Sequence, residues 1–199
     1  MKKSHRKFVV FTSLIGVLTF TSALLLALAP APLTPDAAAS LFAIDAPDSM
    51  DAIFQTEVTT APSRWKYVYI HHSRTPGGDA LSLGQTTGGL NDHFVIGNGD
   101  GAIDGEIQIG QRWNQQISAT PPSGARGIDP ACISICLVGD FDRTVPTPTQ
   151  MRRLSQLVGA LQGRFRITPD HVMIVTQPNS PAASGKYFPL TAFRDQLLP

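Results

Sequence analysis

Short apolar runs separated by glycine-rich turns dominate the second half of the chain. They are rich in β-branched and aromatic residues, which is typical of strands rather than helices. The glycine-rich stretches between them are typical of tight turns. The pattern predicts four strands and a short fifth one, at residues 66–71, 93–97, 102–109, 132–138 and 172–175.

One segment has a helical pattern instead. Thr147 suits the N-cap, Pro148 the first turn and Gln150 the reciprocal position of a capping box. Apolar residues then recur at helical spacing as far as Leu161, and Gly163 is expected to end the helix. A second short helix is expected at 191–198, whereas the glycines between residues 77 and 89 make 73–92 a poor helix. This order of elements predicts an α/β fold with a central mixed β-sheet flanked by helices.

The N-terminus has the pattern of a targeting segment. Four basic side chains within residues 2–7 precede an uncharged apolar run over residues 8–29. Residues 1–29 are therefore expected to be a signal-anchor that leaves the remainder exported, inner-membrane anchored and facing the periplasm. Cleavage at Ala37-Ala38-Ala39 is the alternative and would give a periplasmic or secreted protein.

Composition divides the remaining chain in two. Residues 30–63 are rich in Ala and Pro and are predicted to be a linker, with one short helix around 48–54. Residues 64–199 are predicted to form the folded domain. The net charge of +1 gives no electrostatic footprint for nucleic acid, so any partner must be recognised by a local site.

Two cysteines lie in the strand predicted at 132–138. Cys132 and Cys136 are four residues apart, so their side chains lie on the same face of the strand, about 13 Å apart. That distance is too long for a disulfide between them. We expect both to be buried thiols.

The first predicted strand ends in two adjacent histidines, His71 and His72. Because strand side chains alternate, the two rings must point to opposite faces of the sheet. At most one of them can face a given pocket, where it could hold a metal ion.

The order of motifs resembles the zinc-dependent N-acetylmuramoyl-L-alanine amidases, a family that includes peptidoglycan recognition proteins and phage lysozyme-amidases. The resemblance covers roughly 65–189. Its motifs are Ile70-His71-His72-Ser73, Asp92-His93-Phe94-Val95-Ile96-Gly97, Cys136-Leu137-Val138-Gly139-Asp140-Phe141, the Pro-Thr-x-Gln helix start and Ser184-Gly185-Lys186-Tyr187-Phe188-Pro189.

The resemblance implies a zinc site and peptidoglycan or its muropeptides as the partner. In the family, zinc activates a water molecule that attacks the amide between the lactyl group and L-alanine. The matching metal ligands in this chain are His71 and His171. The cysteine that completes the family's site is replaced by Ala183, and the oxyanion-stabilising residue by Pro181.

A carboxylate could complete such a site. Asp92 stands where the family has a tyrosine that helps orient water or substrate. It is the first candidate for a catalytic or metal-binding carboxylate because it is expected at the mouth of the same pocket, and Asp170 is the second. Two functions therefore remain open at the sequence level. One is an amidase that cleaves the lactyl-alanine amide, and the other is an inactive peptidoglycan-binding module.

Overall fold

The computed structural model describes residues 47–119, 130–174 and 185–199. They form one five-stranded sheet with helices packed against it, which confirms the predicted α/β class. No helix within these ranges is long and apolar enough to cross a bilayer. The segment at 8–29 lies outside them. The strands, in chain order, are β1 (Tyr67–His72), β2 (Phe94–Ile96), β3 (Ile107–Ile109), β4 (Cys132–Leu137) and β5 (Val172–Ile174).

The sheet is mixed, with the order β3-β2-β4-β1-β5. Only β3 is antiparallel to its neighbour, and β4 lies at the centre between β2 and β1. All six residues of β4 are buried, as expected for a central strand covered on both faces. In its register with β1, His71 lies beside Cys136. This pairing brings the strand-end histidine and a thiol together at one edge.

The predicted long helix is α3, Pro148–Phe165, in the helix order α1 (Ala80–Thr87), α2 (Gln111–Asn114), α3 and α4 (Leu190–Arg194). Its capping box between Thr147 and Gln150 is present. The expected stop at Gly163 is wrong, because the helix continues to Phe165 and ends at Arg166 in a left-handed conformation. An exposed glycine costs a helix only about 1 kcal/mol, and burial of Phe165 offsets it.

A helix also forms where glycines predicted a poor one. Asp79 caps α1 and exchanges hydrogen bonds with Ser82, and Gly88 ends the helix in the left-handed conformation. Gly84 inside α1 allows close packing, since a Cβ there would lie 2.9 Å from the amide nitrogen of Leu90. The glycine therefore brings the following loop close to the helix, beside the site described below.

The third predicted strand, 102–109, is shorter than expected. Glu106 donates its amide to the carbonyl of Ile103 in a turn, and Gly105 has a φ of 79°. The turn leaves only Ile107–Ile109 extended.

The described part of the predicted linker packs against the domain. A 3-10 helix covers Pro47–Phe54, close to the short helix expected at 48–54. Ile53 is fully buried in the main core, and its carbonyl accepts a hydrogen bond of 2.5 Å from Trp113 Nε1. This helix therefore contributes to the core of the domain, where the ring of Phe54 also packs against that of Phe165 in the long helix.

Candidate functional site

A cavity of about 310 Å³ lies where β1 and β4 end, beside α1. Its floor is made by strand ends and its walls by α1 and the loop that follows α1. The lining residues are His71, His72, Ser73, Arg74, Thr75, Leu83, Thr86, Thr87, Leu90, Asn91, Asp92 and Cys136.

His71 is held at both ring nitrogens by oxygen atoms. Nε2 lies 2.7 Å from Asp92 Oδ1, and Nδ1 lies 3.2 Å from the carbonyl oxygen of His72. A carbonyl oxygen can only accept, so Nδ1 carries a proton. Burial lowers the pKa of His71, but the Asp92 carboxylate outweighs it and raises that pKa above its ordinary value. Asp92 therefore favours the protonated form of the ring, in which the two side chains form an ion pair.

Asp92 precedes β2 and reaches the same floor. Ser134 Oγ, from the middle of β4, donates a short hydrogen bond to the carboxylate atom that contacts His71. Burial raises the pKa of Asp92, but the His71 charge and the hydrogen bonds from His71 and Ser134 outweigh it and hold that pKa below its ordinary value. The structure thus brings the predicted carboxylate to the predicted histidine.

Cys136 is the site residue that the sequence prediction missed. It lies beside His71 across the β1–β4 pair, and its Sγ is within 4.8 Å of the ligand atoms of His71 and Asp92. Burial, reinforced by the Asp92 charge, raises the pKa of the Cys136 thiol well above its ordinary value. The prediction of a buried thiol without a disulfide to Cys132 is confirmed. Its proximity to His71 depends on strand order, which the sequence pattern does not contain.

His171 does not reach this site. The register pairs Val68 with Val172, which places His171 level with Tyr67, four residues before His71. At strand spacing that is about 13 Å along the sheet. The His171 ring is exposed and packs against the ring of Tyr67, with 4.6 Å between centroids. The structure therefore does not bring the two predicted metal ligands, His71 and His171, together.

His72 is structural, as its alternation with His71 predicts. Its ring is buried, and its Nδ1 accepts the amide hydrogen of Phe141 at 2.9 Å.

His93 is structural as well. Its Nδ1 accepts the amide hydrogen of Ser134, and its Nε2 contacts the carbonyl of Ile117. Burial lowers the pKa of His93 to about 4, so its ring is neutral at pH 7.

The side chains of His71, Asp92 and Cys136 at the floor of the cavity are chemically suited to bind a zinc ion. They offer one imidazole nitrogen, one carboxylate oxygen and one thiol sulfur, all known zinc ligands. Ligand atoms of a tetrahedral zinc lie about 3.3 to 3.6 Å apart. The 2.7 Å contact between His71 and Asp92 would therefore have to open by about half an ångström. Asp170, the other candidate carboxylate, is exposed and adjacent to His171, far from this floor.

Residues 61–189 match the family model described as N-acetylmuramoyl-L-alanine amidase. The match covers more than half of the chain. This chain belongs to that family. The membership confirms the resemblance found in the motifs and identifies the chain as a peptidoglycan amidase-like protein. Residues 181 and 183, where the motifs differ from the amidase pattern, lie outside the described residues.

Solved structures with a similar fold include two amidases from Clostridium intestinale URNW. The endolysin LysCS is 18% identical with a TM-score of 0.47, over 71% of this chain and 93% of that chain. LysC is also 18% identical with a TM-score of 0.47, over 71% and 95% respectively. The PGRP-Hd structure from Alvinella pompejana is 18% identical with a TM-score of 0.46, over 68% and 85%. No curated protein matches the chain significantly.

Proposed function

We propose that this amidase-family domain binds the muropeptide part of peptidoglycan in the cavity beside β1, without a zinc ion held by two histidines. One observation supports the statement that no zinc ion is held by two histidines. His171 lies about 13 Å along the sheet from His71, so the two rings cannot share an ion. The cavity itself is present, with His71 and Asp92 on its floor.

The chemistry of the cavity suits a peptide with small side chains. Hydroxyl and amide groups of Ser73, Thr75 and Asn91 line it beside the apolar side chains of Leu83 and Leu90. Such a mixture can accept or donate hydrogen bonds to backbone amides while covering alanine methyl groups. The charges of His71 and Asp92 offset each other on the floor.

Filling the cavity should abolish binding. Thr86 lies on α1 and lines the cavity, so Thr86→Trp is expected to reduce retention on insoluble peptidoglycan at least about tenfold. Gln85→Trp is the matched control, because Gln85 is exposed on the same helix and does not line the cavity.

The assay uses the full chain in detergent, at low salt and with excess EDTA. Equal retention of the Thr86 and Gln85 variants would contradict binding in this cavity. Retention that is present without EDTA and lost with it would show that this binding requires a metal ion.

Hydrolysis is the second candidate function, and the convergence of His71, Asp92 and Cys136 favours it. Zinc, when bound, would polarise the scissile carbonyl and lower the pKa of a water molecule. The cavity residues would orient the lactyl-alanine amide and limit access of bulk water. Mass spectrometry of peptidoglycan incubated with the zinc-treated chain should detect free stem peptides, and their absence would exclude this function.

We also propose that the domain is exported and anchored in the inner membrane by residues 1–29. The basic residues before the apolar run support this orientation. Cell fractionation of the full chain should place it in the membrane fraction, with the domain accessible to protease from the periplasmic side. Recovery of a shortened soluble form would favour cleavage instead.

A further inference from the structure

Three side chains that could bind a metal ion meet at the floor of the cavity. They are not the same set of ligands that the motifs assign. Of the motif-assigned ligands, the structure keeps only His71 at the site. The other two donors are Asp92, at the entrance to β2, and Cys136, on β4.

The sheet fixes the positions of these three side chains. His71 and Cys136 are register partners in the parallel pair β1–β4, which is the most extensive strand pair in the sheet. Asp92 is fixed by Ser134 from the same strand as Cys136. Ligands on adjacent strands are better preorganised than ligands on loops, so little entropy is lost when an ion binds.

We propose that His71 Nε2, Asp92 and Cys136 Sγ form a metal site for a divalent cation of the zinc type, with a ligand set distinct from the predicted pair His71 and His171. The ion takes the place of two protons, one on Nε2 of His71 and one on Sγ of Cys136. All three of these residues line the cavity, so a bound ion would be accessible from it.

The chemistry of the three ligand atoms determines which metal ions the site can bind. A thiolate and an imidazole favour Zn²⁺ and Co²⁺, whereas Mg²⁺ and Ca²⁺ prefer oxygen ligands and at least six of them. The site offers one carboxylate, so excess Mg²⁺ should not compete. The inference concerns metal binding alone and does not depend on whether the cavity binds peptidoglycan.

Cys132 provides an internal control. It is on the same strand and the same face as Cys136, is equally buried, and is not among the three donors. Cys132→Ser and Cys136→Ser therefore make the same chemical change at matched positions, and only the second removes a ligand.

The test is a Co²⁺ titration of the full chain in detergent, followed by absorption spectroscopy. Wild type and Cys132→Ser should each bind one equivalent, with a sulfur-to-cobalt charge-transfer band. In Cys136→Ser the band should be absent, and Zn²⁺ affinity by competition should fall at least about 100-fold. His171→Ala should bind as wild type does.

Three results would overturn the inference. The first is no charge-transfer band in wild type, and the second is a band that survives Cys136→Ser. The third is loss of binding in His171→Ala with normal binding in Cys136→Ser.

Circular dichroism of each variant checks folding. Asp92→Asn provides a second ligand variant, which keeps the thiol. Its Zn²⁺ affinity should also fall, and an unchanged affinity would remove Asp92 from the site.

Discussion

Replacing Gln150 by glutamate should lower the free energy of unfolding by about 3 kcal/mol. Gln150 is fully buried at the start of α3. Its side-chain nitrogen donates hydrogen bonds to the carbonyl oxygens of Ile96, at 3.1 Å, and Val138, at 2.9 Å, where β2 and β4 end. In glutamate, a carboxylate oxygen would face two carbonyl oxygens, and no donor would remain for either.

Local helix rules predict the opposite sign. Glutamate at the third position of a helix keeps the capping box that Gln150 already forms, and it adds a favourable interaction with the helix dipole of about 0.5 to 1 kcal/mol. Two lost buried hydrogen bonds and a desolvated charge cost about 4 kcal/mol, so the tertiary contacts decide the result.

Urea unfolding at pH 7 measures this effect. Gln156→Glu on the same helix is the control, because Gln156 is half-buried and already accepts a hydrogen bond from Arg153. We expect the control to change stability by less than about 0.5 kcal/mol. Equal stability of the two variants would show that the amide of Gln150 does not join the helix to the strand ends.

Asp92→Asn should lower the stability of the metal-free protein by about 3 kcal/mol near pH 6 and should lower the pKa of His71. The variant removes the carboxylate that stabilises the protonated form of His71, whose side chain is only 14% exposed. Without Asp92, burial is the largest remaining influence on the pKa of His71, and it lowers that pKa.

The sign of the pH dependence follows from the two shifts. The pKa of His71 is raised above 6.5, so its contribution is complete below pH 6.5 and is lost as pH rises through the folded value. The pKa of Asp92 is lowered below 3.8, so its contribution is complete above pH 3.8 and is lost as pH falls through the folded value. Both contributions are therefore present between about pH 4 and 6.5.

NMR titration of the histidine rings with EDTA present measures the protonation of His71 directly. Asp170→Asn is the control, since Asp170 is exposed and lies beside His171. The His71 resonance should titrate at lower pH in Asp92→Asn and be unchanged in Asp170→Asn. A His71 pKa that is insensitive to Asp92 would contradict the ion pair.

Local sequence signals predicted much of the fold because they act within a few residues. The strand at 67–72 and the capped start of α3 follow from β-branched residues and from the pair Thr147 and Gln150. The errors arose where packing outweighed local preference. Gly163 did not end α3, and α1 formed despite its glycines, because buried neighbours and caps stabilise both helices.

The residues of the candidate site were also predicted only in part from the sequence. Alternation along β1 already placed His71 and His72 on opposite faces, and the motifs alone indicated the family and selected His71 and Asp92. Strand order and register decided the rest, because they bring together residues far apart in the chain. They put Cys136 beside His71 and His171 about 13 Å away, and these distances set which ligands can share an ion.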